Sequence, residues 1–246
     1  MSTRTCPRRC NEATWRRVVA WCLVTCLLGY CGYCLPLVAT TWAADTASCT
    51  AKAEEGFTSL FDGETLTGWT MNRPGGYVVE DGAIVCLKET GGFLYTDREY
   101  GDFNFRFEFK LTADANNGLG IRTPKNADPA YAGMEIQILD NSSEKWPGIK
   151  DWQKHGSIYG VAPAKTGHLR PLGEWNSQEV ICRGQRVQVI LNGVTIVDVD
   201  LAEVSQPQTL DGQAHPGLER EQGYIAFCGH GSRVEFRNIR IKTFDE

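Results

Sequence analysis

Glu135, Gln137, Arg122 and His230 all fall where alternating strands turn side chains away from a core. In "GMEIQILDN" (133–141), Met134, Ile136 and Ile138 take one face and leave Glu135 and Gln137 on the other. In "NNGLGIRTP" (116–124), Leu119 and Ile121 go inward, so Gly118, Gly120 and Arg122 share the opposite face. In "GYIAFCGHG" (223–231), Ile225 and Phe227 go inward, and Tyr224, Ala226, Cys228 and His230 outward. A carboxylate, an imidazole and a guanidinium are the parts of general acid–base chemistry with a charge-stabilising partner. Two glycines inside one strand mark a place where something approaches the backbone closely, and Arg122 offers a planar donor fork beside them. Singly, each residue is explained by a sheet face that meets water. Converging, they read as a polar floor with glycine-made space.

Trp146 and Trp152 follow in a Pro/Gly-rich loop and suit an aromatic wall for a sugar, whose C–H faces are apolar while its hydroxyls need fixed partners. Trp175 and Asn176 precede a hairpin strand, where a buried core tryptophan is the plainer reading. A divalent metal held by Glu135, His230 and Asp140 would have suitable oxygen and imidazole ligands, although no ligand spacing establishes one.

The elements that must position these residues are strands. "DFNFRFEFKL" (102–111) alternates five apolar residues with Asn104, Arg106, Glu108 and Lys110. "RVQVILNGVTIVDVDL" (186–201) turns at Asn192-Gly193 and "YVVEDGAIVCL" (77–87) at Asp81-Gly82, both hairpin signals. "GYIAFCGHG" and "RVEFRNIRIKTF" read as a final strand pair, and a helical turn falls between Leu201 and Gln222. No helix-period segment of useful length intervenes, so one all-β sandwich or jelly roll is expected over residues 53–246.

Residues 1–44 are a different object. Arg4, Arg8, Arg9, Arg16 and Arg17 precede an uncharged run from Val18 to Ala39, and Thr41-Trp42-Ala43 offers a small-residue cleavage site. This order predicts a secretory signal peptide, with an uncleaved membrane anchor as its rival because the run is long enough to span a bilayer. Either way the domain is exported, to the periplasm or the cell surface. Cys49 is a weak lipidation candidate. The cysteines beyond the leader show no metal spacing and read as small buried residues. Residues 1–44 hold five of the 25 basic and one of the 30 acidic side chains, which leaves a net charge of −9 on the remainder. That excludes the basic surface that nucleic acid requires.

The segments "GFTSLFDGETLTGW", "DREYGDFNFRFEFKL", "NNGLGIRTP", "GMEIQILDN", "GSIYGVAPA", "GEWNSQEV", "LNGVTIVDVDL" and "GHGSRVEFRNIRIK" resemble, in order, the 3-keto-disaccharide hydrolase family. The resemblance covers about residues 55–244. It implies a concanavalin A-like jelly roll of two antiparallel sheets and an exported enzyme acting on 3-keto-glycosides. Glu135, His230 and Arg122 are then the expected catalytic residues, and Gln137, Asn117, Gly118, Gly120, Tyr159, Trp175, Asn176 and Trp152 the expected substrate contacts. One departure stands out: Cys228-Gly229 replaces the family's usual Gln-Asn before His-Gly.

The implied chemistry is elimination. A C3 ketone acidifies H2, a base removes it, the aglycone leaves from C1, and hydration completes a net hydrolysis. Either Glu135 or His230 serves as base, with His230 favoured because its unperturbed pKa lies nearer neutrality, and Arg122 is the natural enolate partner. Two rivals remain. An ordinary jelly-roll glycosidase would use Glu135 and Asp140, which stand at the offsets of that enzyme class but lack the assisting acid. A non-catalytic carbohydrate-binding module would use the same fold.

Overall fold

The computed structural model describes residues 54–244; the leader, its cleavage site and Cys49 lie outside the described residues. Thirteen strands follow in chain order: β1 (Thr58–Ser59), β2 (Trp69–Met71), β3 (Tyr77–Glu80), β4 (Ala83–Cys86), β5 (Gly92–Thr96), β6 (Phe103–Leu111) and β7 (Asn116–Thr123). After the short helix α1 (Pro129–Ala132) come β8 (Met134–Leu139), β9 (Trp175–Arg183), β10 (Arg186–Leu191) and β11 (Val194–Asp200). A second short α-helix, α2 (Leu201–Val204), and a 3-10 turn at Pro216–Glu219 precede β12 (Tyr224–Gly229) and β13 (Val234–Thr243). They form two antiparallel sheets. The larger runs β11-β10-β9-β6-β13-β4-β3, with β1 along β13; the smaller runs β2-β5-β12-β7-β8.

The alternating phenylalanines of β6 make the core between them. Phe103, Phe105, Phe107 and Phe109 are completely buried, and each contributes about 1.5–3 kcal/mol of burial. Opposite them Phe227 of β12 stacks on Phe236 of β13, ring centroids 3.9 Å apart. That contact corrects the expected final strand pair: β12 lies between β5 and β7, whereas β13 lies between β4 and β6 in the other sheet. Each strand has one apolar face, and both faces are buried in one core from opposite sides. The two tight hairpins form as expected, with positive φ at Asn192 and Gly193 and at Asp81 and Gly82. Cys86, Cys182 and Cys228 are buried free thiols. The architecture is a concanavalin A-like jelly-roll sandwich.

What positions the site is the outer face of the smaller sheet. Gly118, Gly120, Glu135, Gln137, Ala226 and Cys228 all lie on it, in a register that sets Gly120 opposite Glu135 and Gly118 opposite Gln137. The stretch 124–133 folds back over this face. Asp128 caps α1 by accepting from Ala130 N at 3.0 Å, and Pro129 takes the first helical position, where its missing N–H costs nothing.

Candidate active site

Glu135 and His230 meet on that face. His230 Nε2 lies 3.3 Å from Glu135 Oε1, although Glu135 stands on β8 and His230 directly follows β12, with β7 between those strands. The reason is Gly118. A Cβ at that position would sit 1.7 Å from Glu135 Oε1, so the missing side chain is the lane by which the carboxyl crosses β7. Glu135 is almost fully buried, while the His230 side chain is 43% exposed. The hydrogen bond to Glu135 raises the His230 pKa above that of a free imidazole, against the opposing effect of burial; the charges of Glu135 and Asp128 add to the rise.

Gln137 is buried beside this pair, and its Oε1 has no hydrogen-bond partner. Such an acceptor is costly unless something binds it. The free edge of β8 is paired by the segment 156–159: Gly156 N donates to Gln137 O at 2.8 Å, and Tyr159 N to Glu135 O at 2.9 Å. This holds Tyr159 beside the carboxylate, with the Trp152 ring packed edge-on to it at 5.1 Å. Tyr159 Oη accepts from Gln153 Nε2 at 3.4 Å, which leaves its own O–H to donate.

The structure moves the other expected residues elsewhere. Arg122 is not in the floor. A bulge sets Ile121 and Arg122 against Ile225, Arg122 takes φ +48°, and the alternation is broken there. Its guanidinium turns away and donates to Gly101 O, Gly184 O, Arg220 O and Asp102 Oδ1, at 2.8–3.2 Å. It joins loops and keeps no donor fork for a ligand. Gly120 makes room for Pro129, whose Cβ would be 3.0 Å from an added Cβ, so what approaches β7 closely is the protein itself. Asn117 shares the parity of Leu119 and points inward toward the Tyr77 hydroxyl and the Cys86 thiol. Trp175 lies on the outer face of the larger sheet, between Arg237 at 4.0 Å and Lys110 at 4.8 Å. Asn176 ties two loops, accepting from Arg170 N and Asn192 Nδ2, each at 2.9 Å.

Asp140 caps a turn by accepting from Asp114 N, Ser142 N and Ser142 Oγ. It is committed there, and among the described residues no three His, Cys, Asp or Glu side chains gather as metal ligands. The donor set therefore does not fit the metal considered from the sequence. Trp146 keeps a buried, unpartnered Nε1, with Lys145 over its ring.

Some residues at this face escaped the sequence reading. Asn116 shares the parity of Gly118 and Gly120, pairs opposite Leu139, and leaves a buried Oδ1 unpartnered. Parity alone would have found it. Tyr131 rises from α1 and packs on His215 at 4.9 Å. Burial raises its pKa, and the nearby Tyr159, Asp211, Asp128 and Glu135 add to the rise, so its hydroxyl keeps its proton. The capped Asp128-Pro129 start of α1 was a readable signal. His215 was not: its Nδ1 donates to Ala130 O at 3.0 Å and its Nε2 faces Asp211 at 3.1 Å, contacts made from an irregular segment without pattern.

Fold and site thus define a jelly-roll protein with a carboxylate–imidazole pair on the outer face of its smaller sheet. The chain belongs to the family of 3-keto-alpha-glucoside-1,2-lyase-like domains, whose model matches residues 56–242. It is similar to the 3-keto-disaccharide hydrolase of Bacteroides thetaiotaomicron, 27% identical over 230 residues that cover 78% of this chain and 79% of that one. A solved structure from Parabacteroides distasonis, provisionally described as a glycosyl hydrolase, is 30% identical with a TM-score of 0.69, over 78% of this chain and 95% of that one. A Bacillus subtilis protein of unknown function with a galectin-like fold shares the architecture alone, at 11% identity and a TM-score of 0.52, over 76% and 94% of the two chains.

Proposed function

We propose that this protein is an exported enzyme that cleaves 3-keto-glycosides by elimination across C1–C2 followed by hydration. The observation that carries the reading is the Glu135–His230 pair, brought together over a glycine on a face with unpartnered polar atoms. Family membership supplies the substrate class, and the arginine-flanked apolar leader motivates export.

On this reading the acid and base roles are reversed from those the sequence favoured. With its pKa raised by Glu135, His230 carries a proton further up the pH scale than a free imidazole and suits the donor role. Glu135 is then the base that takes H2. As the C1–O bond breaks, His230 protonates the departing oxygen. Its proton balance is restored when water adds to the resulting enone. The enolate oxygen needs donors that Arg122 cannot give; Tyr159 and Tyr131, both with hydroxyl protons to offer, replace it. Ordinary retaining hydrolysis needs two carboxyls about 5–5.5 Å apart, and the turn-capping Asp140 supplies no support for it.

Incubating the full chain with a 3-keto-glucoside and with its unoxidised parent tests the reading. Release of the aglycone from the keto substrate alone is expected. Equal cleavage of both would mark an ordinary glycosidase, and cleavage of neither a binding module.

A further inference from the structure

His230 has a second side. Away from Glu135 it lines a cavity of about 370 Å³ whose other walls include Asn72, Arg73, Glu89, Thr90 and Phe93. We propose that this cavity is the subsite for the leaving group, a neutral hydroxylated ring such as a second hexose, with Arg73 and Phe93 determining specificity. The proposal rests on the elimination reading for its direction. His230 must reach the departing oxygen, so the leaving group lies on the side of the imidazole that faces the cavity, while the keto ring lies over Glu135 and Gln137.

Arg73 is the telling residue. Among the described residues every other arginine has a hydrogen bond, an ion pair or a ring contact, and Arg73 has none. Its fork is unused and exposed at the cavity, as is the carboxylate of Glu89. A donor fork and an acceptor together match the hydroxyls of a neutral sugar; an anionic leaving group would be drawn to one and repelled by the other. Phe93 adds an apolar platform on the same face, held edge-on to Tyr95 at 5.9 Å. The wall is also rigid. Asn72 Oδ1 accepts from Phe93 N at 2.7 Å, and Asn72 N donates to Phe93 O at 3.0 Å. Gly92, at φ +94°, admits that amide, because a Cβ there would lie 2.8 Å from Asn72 Oδ1.

Two measurements on the full chain test the proposal. In the first, kcat/KM is compared for a 3-keto-disaccharide and for methyl 3-keto-glucoside, whose leaving group is too small to fill the cavity. Arg73→Ala and Phe93→Ala are expected to lower the ratio of the two values by about tenfold or more, since a site built to bind hydroxyls discriminates strongly when its partners are lost. Equal losses on both substrates, or none, would overturn it. In the second, free glucose is titrated into the protein and the Phe93 and His230 ring resonances are followed. Shifts that Arg73→Ala abolishes and Glu135→Gln retains support the subsite even if no keto substrate is turned over, in which case the reaction is wrong and the subsite stands. Absence of any shift in the wild type overturns the subsite whatever the reaction proves to be.

Discussion

The outer faces of the two sheets begin from the same alternation and end differently. On the larger sheet the polar residues pair with one another: Arg106 with Glu179 at 2.8 Å, Lys110 with Glu235 at 2.5 Å, Arg237 with Glu108 at 2.7 Å and Arg233 with Glu80 at 2.8 Å. Each exposed pair is worth little, but together they occupy every charge named there, and only single atoms of otherwise bonded side chains, Asn104 Oδ1 and Arg106 Nε, stay unpartnered. On the smaller sheet the bridged Glu135–His230 pair stands beside Gln137 and Asn116, whose buried oxygens are unpartnered. A face whose charges are paired across its own strands is a surface; one that sets a buried carboxylate–imidazole pair beside unpartnered amide oxygens is equipped to bind something else.

The largest effect should come from the reserve face. Glu135→Gln keeps the volume and removes the charge, and should cost at least about 10²-fold in turnover of a 3-keto-glucoside with thermal stability unchanged. The His230 pKa, followed by NMR, should fall in the same variant because its main upward influence is gone. Gly118→Ala should reproduce the loss by displacing the carboxyl. Near wild-type turnover in both variants would make the two faces equivalent.

Arg122 offers the opposite outcome. Arg122→Met strips donors from buried acceptors and should lower urea stability by at least about 2 kcal/mol, while kcat of the folded fraction holds. A selective loss of kcat would return this arginine to the site.

The interior supplies a contrast with His230. Burial, opposed only by Gln178, pushes the His155 pKa down from 6.5 to about 3. The unfolded chain therefore takes up a proton below pH 6.5 that the folded one refuses, and stability should fall as the pH drops from there toward 3. His155→Gln should flatten that urea-midpoint profile by up to about 1.4 kcal/mol per pH unit; an unchanged slope would show that His155 is protonated in place.

The smallest effect belongs to the ion-paired face of the larger sheet. Trp175→Ala removes two exposed cation–π contacts and should cost about 1 kcal/mol with turnover untouched. A substantial loss of turnover would show that the larger sheet also serves the reaction.

Much of this was legible in the sequence. The burial of Phe103 to Leu111, the two hairpins, and the outward parity of Glu135, Gln137, Gly118 and Gly120 all follow from local periodicity. Trp152 and Tyr159 do stand together, and Tyr159 is tied by its backbone to Glu135. Asn117, Trp175 and Asn176 were displaced because a motif names a stretch, whereas a side chain's direction follows the parity of its own strand and the sheet to which that strand belongs.

What the sequence by itself determined is the set of strands, the apolar face of each, and the outward polar residues among which the site had to be found. That information is local: two-residue alternation and Asn-Gly or Asp-Gly turns act over a few bonds. Only the tertiary structure decided that β12 and β13 part into different sheets, and that a bulge opposite Ile225 turns Arg122 from the floor into a joint between loops. It also decided that the space above Gly118 belongs to Glu135 and that above Gly120 to Pro129. These outcomes depend on which segments fill the same volume, and close packing resolves that only when distant parts of the chain compete for it.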